Sequence, residues 1–279
     1  MTYRSIMTVL TAAADVAPTL DAALVLARHH DAHLEVICMG LGAKLYPVGM
    51  MGMDTSFVLT AMSEATARSS ELAKAARTRL ATEDVRWAVE DTGAQVEGLA
   101  VQVAPRARFA DLVVLARAAA ADADPVTAEV LDAALFGARA PVLVVPAEGL
   151  PVWPPARIVI AWDGGDEAMA AVRAARGLLD QATAVSIAVV DPGQWGAEGD
   201  DPGGALARHL VRHDIKAAVT VLPRGGHRVS DVLNNHVRDF DAHLVVMGAY
   251  AHTRLRQMIL GGTTHDMLRK AAVPVLFAH

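Results

Sequence analysis

Residues Val245–Phe277 read VVMGAYAHTRLRQMILGGTTHDMLRKAAVPVLF. The apolar run Leu244-Val245-Val246-Met247 stops at Gly248. A mixed loop carrying Arg254 and Arg256 follows. Gly261-Gly262-Thr263-Thr264 then leads into a helical pattern, and Pro274-Val275-Leu276-Phe277 forms a second apolar run. Strand, glycine, loop, glycine pair with hydroxyls, helix and strand is an order that suits a phosphate held at a helix N-terminus. There the backbone N–H groups and the helix dipole converge on an anion. The stretch therefore points to nucleotide binding rather than to side-chain catalysis.

Working outward, the same pattern occurs twice. Leu112-Val113-Val114-Leu115-Ala116 matches Leu244-Val245-Val246-Met247-Gly248, and Ala140-Pro141-Val142-Leu143-Val144 matches Val273-Pro274-Val275-Leu276-Phe277. Each half runs from an opening strand, 5–10 or 157–162, to an x-Pro-Val-Leu closing strand, 142–145 or 274–277. Strands are expected between these at 33–39, 84–90 and 111–116, and at 184–190, 216–222 and 243–248. Helices are expected over 16–30, 54–80, 94–106 and 126–139, and over 166–180, 202–213, 228–239 and 263–271. Strands alternating with helices predict parallel sheets covered on both faces. The half-length repeat favours two open sheets over one barrel. Pro146, Pro151, Pro154 and Pro155 mark an extended linker between the halves.

The glycine spacing resembles the G-x2-G-x9-G-[ST] motif of the universal stress protein family, which lies between the fourth strand and fourth helix. Gly248 and Gly261, thirteen positions apart, take the first and third glycine positions. Ala251 stands where the second glycine belongs, and Gly262 where the first hydroxyl belongs. Thr263 follows one residue later, where nucleotide-binding members often carry a second hydroxyl. The resemblance covers the whole chain. It implies two tandem doubly wound α/β domains of the adenine nucleotide alpha-hydrolase-like fold, each with five parallel strands: a degenerate domain at 1–147, a Pro-rich linker at 148–156, and a domain with a partial motif at 157–279.

The resemblance also assigns roles. Asp163, after the first strand of the second half, would contact the nucleoside. The backbone at Val189 would hold adenine. Gly248, Ala251, Gly261, Gly262 and Thr263 would line the phosphates. The implied ligand is ATP or a related adenine nucleotide, with Mg2+ as companion ion. If the motif needs only closeness at Ala251, one methyl is tolerated. If it needs positive φ, alanine costs about 1 kcal/mol or more. The first half has Thr11 in place of the aspartate and Ala116 in place of the first glycine, and residues 117–124 contain no glycine. No nucleotide is expected there. The implied protein is a cytoplasmic stress-response regulator, a homodimer with a protein client. It is not an enzyme beyond slow, incidental ATP hydrolysis. The alternative is a scaffold that binds no nucleotide and acts through protein contacts and oligomerisation.

Other classes find little support. No G-x-x-x-x-G-K-[ST], G-x-G-x-x-G after the first strand, or G-x-S-x-G elbow is present, which argues against P-loop NTPases, dinucleotide dehydrogenases and α/β-hydrolases. The net charge of −6 does not suit a nucleic-acid footprint, and no apolar run approaches the length of a membrane span. A single cysteine, Cys38, fits a reducing compartment and reads as a buried thiol. His209 and His213 share a helix face but lack a third ligand. His29, His30 and His33 flank a helix end. His252 and His265 flank the glycine loop and read as polar surface. Asp163-Gly164-Gly165-Asp166-Glu167 reads either as a cation site beside phosphates or as a helix start. The segment 40–54, with four glycines and three methionines, reads as a loop packed on its own domain or as a docking flap.

Overall fold

A computed structural model describes residues 3–42, 55–94, 98–117, 125–150, 152–191, 201–249 and 262–279. The chain divides into two units, Tyr3–Ala140 and Pro141–His279. In the first, β1 (Ser5–Leu10) is followed by α1 (Val16–His30), β2 (His33–Leu41), α2 (Thr55–Leu80), β3 (Arg86–Ala94), α3 (Leu99–Ala107), β4 (Leu112–Ala116) and α4 (Pro125–Asp132). The last helix runs on as a π-helical turn, Ala133–Ala138. The strands pair in the order β3-β2-β1-β4, all parallel. Side chains of both parities are buried in β1 and β4, so this part of the sheet is covered on both faces. Thr8, the polar residue inside β1, is accommodated because its hydroxyl donates to the Val114 carbonyl at 2.7 Å.

The second unit contains β5 (Val142–Val145), β6 (Arg157–Ala161), α5 (Asp166–Ala174), α6 (Arg176–Leu179), β7 (Ala184–Val190), α7 (Gly204–Val211), β8 (Ala217–Leu222), α8 (Val229–Asp239), β9 (Leu244–Gly248), α9 (Thr263–Lys270) and β10 (Val275–Ala278). Its order is β5-β10-β9-β6-β7-β8. All pairs are parallel except β5 with β10, which is antiparallel with Leu143 opposite Leu276. The strands of the second half, 157–279, thus form the expected five-stranded parallel sheet, β10-β9-β6-β7-β8. The closing strand 142–145 groups with the second unit and runs against the other closing strand. Both are four-residue strands buried at every position. An apolar edge of that kind is stable only when paired.

The repeat is visible in the backbone wiring. The Asp111 N–H donates to the Ser5 carbonyl, and the His243 N–H to the Arg157 carbonyl, both at 2.8 Å. In each sequence repeat the residue just ahead of the fourth strand also accepts from the start of the first. Asp111 Oδ2 takes the N–H groups of Arg4 and Ser5 at 2.7 and 3.0 Å, and His243 Nδ1 takes that of Ala156 at 3.2 Å.

Gly40 does not begin a loop. It belongs to β2, where a Cβ would lie 1.8 Å from the Ala65 carbonyl oxygen and 2.5 Å from the Ser69 nitrogen. The backbone of α2 thus rests on the backbone of β2, and only glycine fits between them. The rest of the Met/Gly-rich segment, 43–54, lies outside the described residues. Replacing Gly40 with alanine forces α2 off the strand, at a cost of about 3 kcal/mol. Urea denaturation should show a lowered midpoint with the slope unchanged.

His30 closes α1 under the edge of the Tyr3 ring, 4.9 Å away, and is 2% exposed. Burial, with the charges of His29 and Arg4 adding, pushes its imidazole down to about 4. Between the unfolded value near 6.5 and this folded value, the unfolded chain takes up a proton that the native chain refuses. Stability therefore falls as pH drops through that window. In His30→Gln, the loss of unfolding free energy between neutral pH and about pH 4.5 should be smaller than in the wild type by about 2 kcal/mol.

Candidate functional site

In open α/β sheets, ligands sit beyond the strand C-termini where the winding reverses. In the second unit the chain winds from β6 outward to β7 and β8, then returns to place β9 on the other side of β6. The reversal lies between β6 and β9, in register from Ile158 opposite Leu244 to Ala161 opposite Met247. Asp163 follows β6, Gly248 ends β9, and Val189 stands next to the end of β7. The sequence-predicted residues of these three strands therefore emerge at one edge of one sheet.

Their local chemistry is specific. Asp163 Oδ1 accepts the Gly165 N–H at 2.9 Å, and Gly164 has φ +77°, so the carboxylate closes the turn into α5. Of the two readings of the Asp163–Glu167 run, this geometry provides the helix start. Val189 is buried and pairs with Val221 on β8. One residue past β7, Asp191 has φ +48°, and its Oδ1 accepts the Arg224 N–H at 2.9 Å. Gly248 is required by packing. A Cβ there would lie 2.5 Å from the Ala168 nitrogen and 2.7 Å from the Glu167 carbonyl carbon, in the first turn of α5. Ala251 and Gly261 lie outside the described residues, as do His252, Arg254 and Arg256.

Gly262 is the N-cap of α9, with extended backbone at φ −100° and ψ 168° and no side-chain cap of its own. A Cβ at this position would meet no described atom within 4 Å. Among the described residues, nothing crowds out a hydroxyl residue at Gly262. Thr263 opens the helix and is half-buried.

Sequence reading missed the group that holds this helix. Asp266, 8% exposed, receives Arg228 Nη1 at 3.3 and 3.1 Å on its two oxygens and Ser230 Oγ at 3.1 Å. Burial acts against its charge. The hydrogen bonds from Arg228 and Ser230, together with the charges of Arg228 and Lys270, outweigh that and hold the carboxyl below its usual range. These residues are far apart in sequence, and only the adjacency of α8 and α9 brings them together.

The corresponding edge of the first unit differs. Beyond β1 and β4, a cavity of about 20 Å³ is lined in part by Thr11, Asp15, Ala116 and Thr127. That volume is on the scale of one water molecule. Elsewhere, Ser186 Oγ lies 2.9 Å from His236 Nε2 and 3.2 Å from Thr220 Oγ1, with Ser186 only 1% exposed. Cys38 is fully buried, and burial, with Asp91 adding to it and Arg77 opposing, pushes its thiol up to about 12. His209 and His213 stack edge to face at 4.8 Å. Among the described residues, no group of three or more His, Cys, Asp or Glu side chains could hold a metal ion. No described helix is long and apolar enough to cross a membrane.

Residues 155–279 match the model of the Universal stress protein family. This half of the chain is a universal stress protein domain. A universal stress protein of Synechocystis sp. is 33% identical over 73 residues, which are 26% of this chain and 24% of that protein. The match thus spans about a quarter of that relative's length. Across the whole chain the likeness is one of fold. A universal stress protein from Archaeoglobus fulgidus superposes with a TM-score of 0.66 at 15% identity, covering 98% of this chain and 96% of its own. A functionally unknown protein from Pseudomonas aeruginosa gives 0.61 at 18% identity, covering 99% and 92%. The doubly wound α/β fold read from the strand and helix pattern is thus the fold of the universal stress proteins.

The glycines of this domain make distinct predictions. Gly248→Ala drives a methyl into the first turn of α5 and should destabilise by about 2–3 kcal/mol. Gly262→Ser meets no described atom and supplies a cap, which should add a few tenths of a kcal/mol. Thermal unfolding of the two variants should shift in opposite directions.

Proposed function

We propose that the second unit binds ATP or a related adenine nucleotide, with Mg2+ as companion ion, and that occupancy regulates contacts with a protein client in a stress response. The observation that carries this reading is the reversal between β6 and β9, with Asp163 and Gly248 at its mouth and Thr263 opening α9. The Asp163 carboxylate, at most partly engaged by Gly165, has an acceptor oxygen for a ribose hydroxyl. Backbone at the end of β7 suits the edge of adenine. The start of α9 suits a phosphate. Ala251 and Gly261 would complete the loop. On this reading the first unit binds no nucleotide, because Thr11 and Ala116 stand where the aspartate and the first glycine belong. The protein acts in the cytoplasm as a homodimer, binds neither nucleic acid nor membrane, and is not an enzyme, any hydrolysis of ATP being slow and incidental.

A second reading, a scaffold acting by protein contacts and oligomerisation, is favoured by one observation. Gly248 and the Asp163 turn each have a sufficient role in packing α5.

Calorimetric titration with ATP and Mg2+ separates the two. The nucleotide reading expects one site per chain, weakened by about 1–3 kcal/mol in Asp163→Ala and tightened in Ala251→Gly. Two equivalent sites would overturn the assignment to the second unit. Absence of saturable binding in both wild type and folded Ala251→Gly would leave the scaffold.

A further inference from the structure

An eight-residue helix is marginal by itself, and α9 opens on a glycine that has no side-chain cap. What anchors its first turn is Asp266, whose carboxylate is gripped by Arg228, the N-cap residue of α8, and by Ser230 in the first turn of that helix. The Arg228 side chain is largely exposed while the Asp266 side chain is nearly covered. The arginine thus lies over the aspartate from the solvent side.

We infer that Arg228, acting through Asp266 with Ser230, is the positioning residue for the first turn of α9, an inference that rests on the proposal that this turn receives the nucleotide's phosphates. Two physical effects combine. The bonds to both carboxylate oxygens fix the helix start relative to α8. The guanidinium charge also cancels a buried negative charge that would otherwise oppose an incoming phosphate in the same turn. Asp266 without Arg228 would satisfy the helix dipole itself and compete with the ligand.

Calorimetric titration with ATP and Mg2+, together with hydrogen exchange of the α9 amides in nucleotide-free protein, tests this on the full chain. Arg228→Gln should weaken ATP about tenfold and speed exchange across Thr263–Lys270. Arg228→Lys keeps the charge and should stay within about threefold of wild type. Arg228→Gln combined with Asp266→Asn removes both charges and should recover part of the lost affinity. Should Arg228→Gln lose its fold, Ser230→Ala is read the same way, with a smaller change of about threefold. Faster exchange in Arg228→Gln in a protein whose wild type binds no ATP supports the positioning link while overturning the nucleotide reading. Unchanged exchange and affinity in Arg228→Gln would overturn the inference. So would equal loss of affinity in Arg228→Lys and Arg228→Gln with exchange unchanged, which would make Arg228 a direct ligand contact.

Discussion

At Gly248 the end of β9 comes within backbone contact of the first turn of α5. The organisation of the second unit's C-terminal sheet edge depends on that approach. It determines how closely α5 can lie to the reversal between β6 and β9, and so where the Asp163 turn stands relative to the end of β9. A side chain at position 248 would separate them and open the mouth of the crevice. The constraint is steric and present without ligand. A nucleotide would bind to an edge already shaped by packing, which keeps the entropic cost of organising the site low.

This also explains how much of the molecule could be read in advance. The strands were legible because buried parallel strands are short runs of Val, Ile and Leu, and β1, β4, β6, β7 and β9 all fall where those runs lie. Helix starts were legible at 16, 166 and 263. The direction of the closing strand's pairing was not, since Val142–Val145 has no feature that distinguishes parallel from antiparallel pairing. Gly40 looked like the start of a flexible loop because its neighbours 41–54 are rich in glycine and methionine, whereas its reason is a helix lying across the strand. Within the site, residues at strand ends were found by topology. Arg228 and Ser230 were missed because a hydrogen bond between the starts of two helices leaves no periodic trace.

The two units share wiring and differ in chemistry. Asp111 and His243 perform the same backbone task at the same place in each repeat, with different side chains. The structural demand there is for an acceptor, which carboxylate and imidazole both meet. At the sheet reversal the demand in the second unit is set by the close approach at Gly248 and the Asp163 turn, and the repeats diverge to Thr11 and Ala116 in one and Asp163 and Gly248 in the other. The fold tolerates both sets of residues.

The pairing of β5 with β10 means that the repeat boundary and the folding boundary do not coincide. By sequence, the first copy ends beyond Val145, but by contact the second unit begins at Pro141. The last strand of one copy is thus the edge cover of the next. A gene shortened at the proline linker would encode a second copy with β10 bare along one side, a surface that invites pairing with any other exposed strand. The duplication is in this sense locked in one direction: once the first copy's tail serves the second, the first cannot be trimmed away without baring the second.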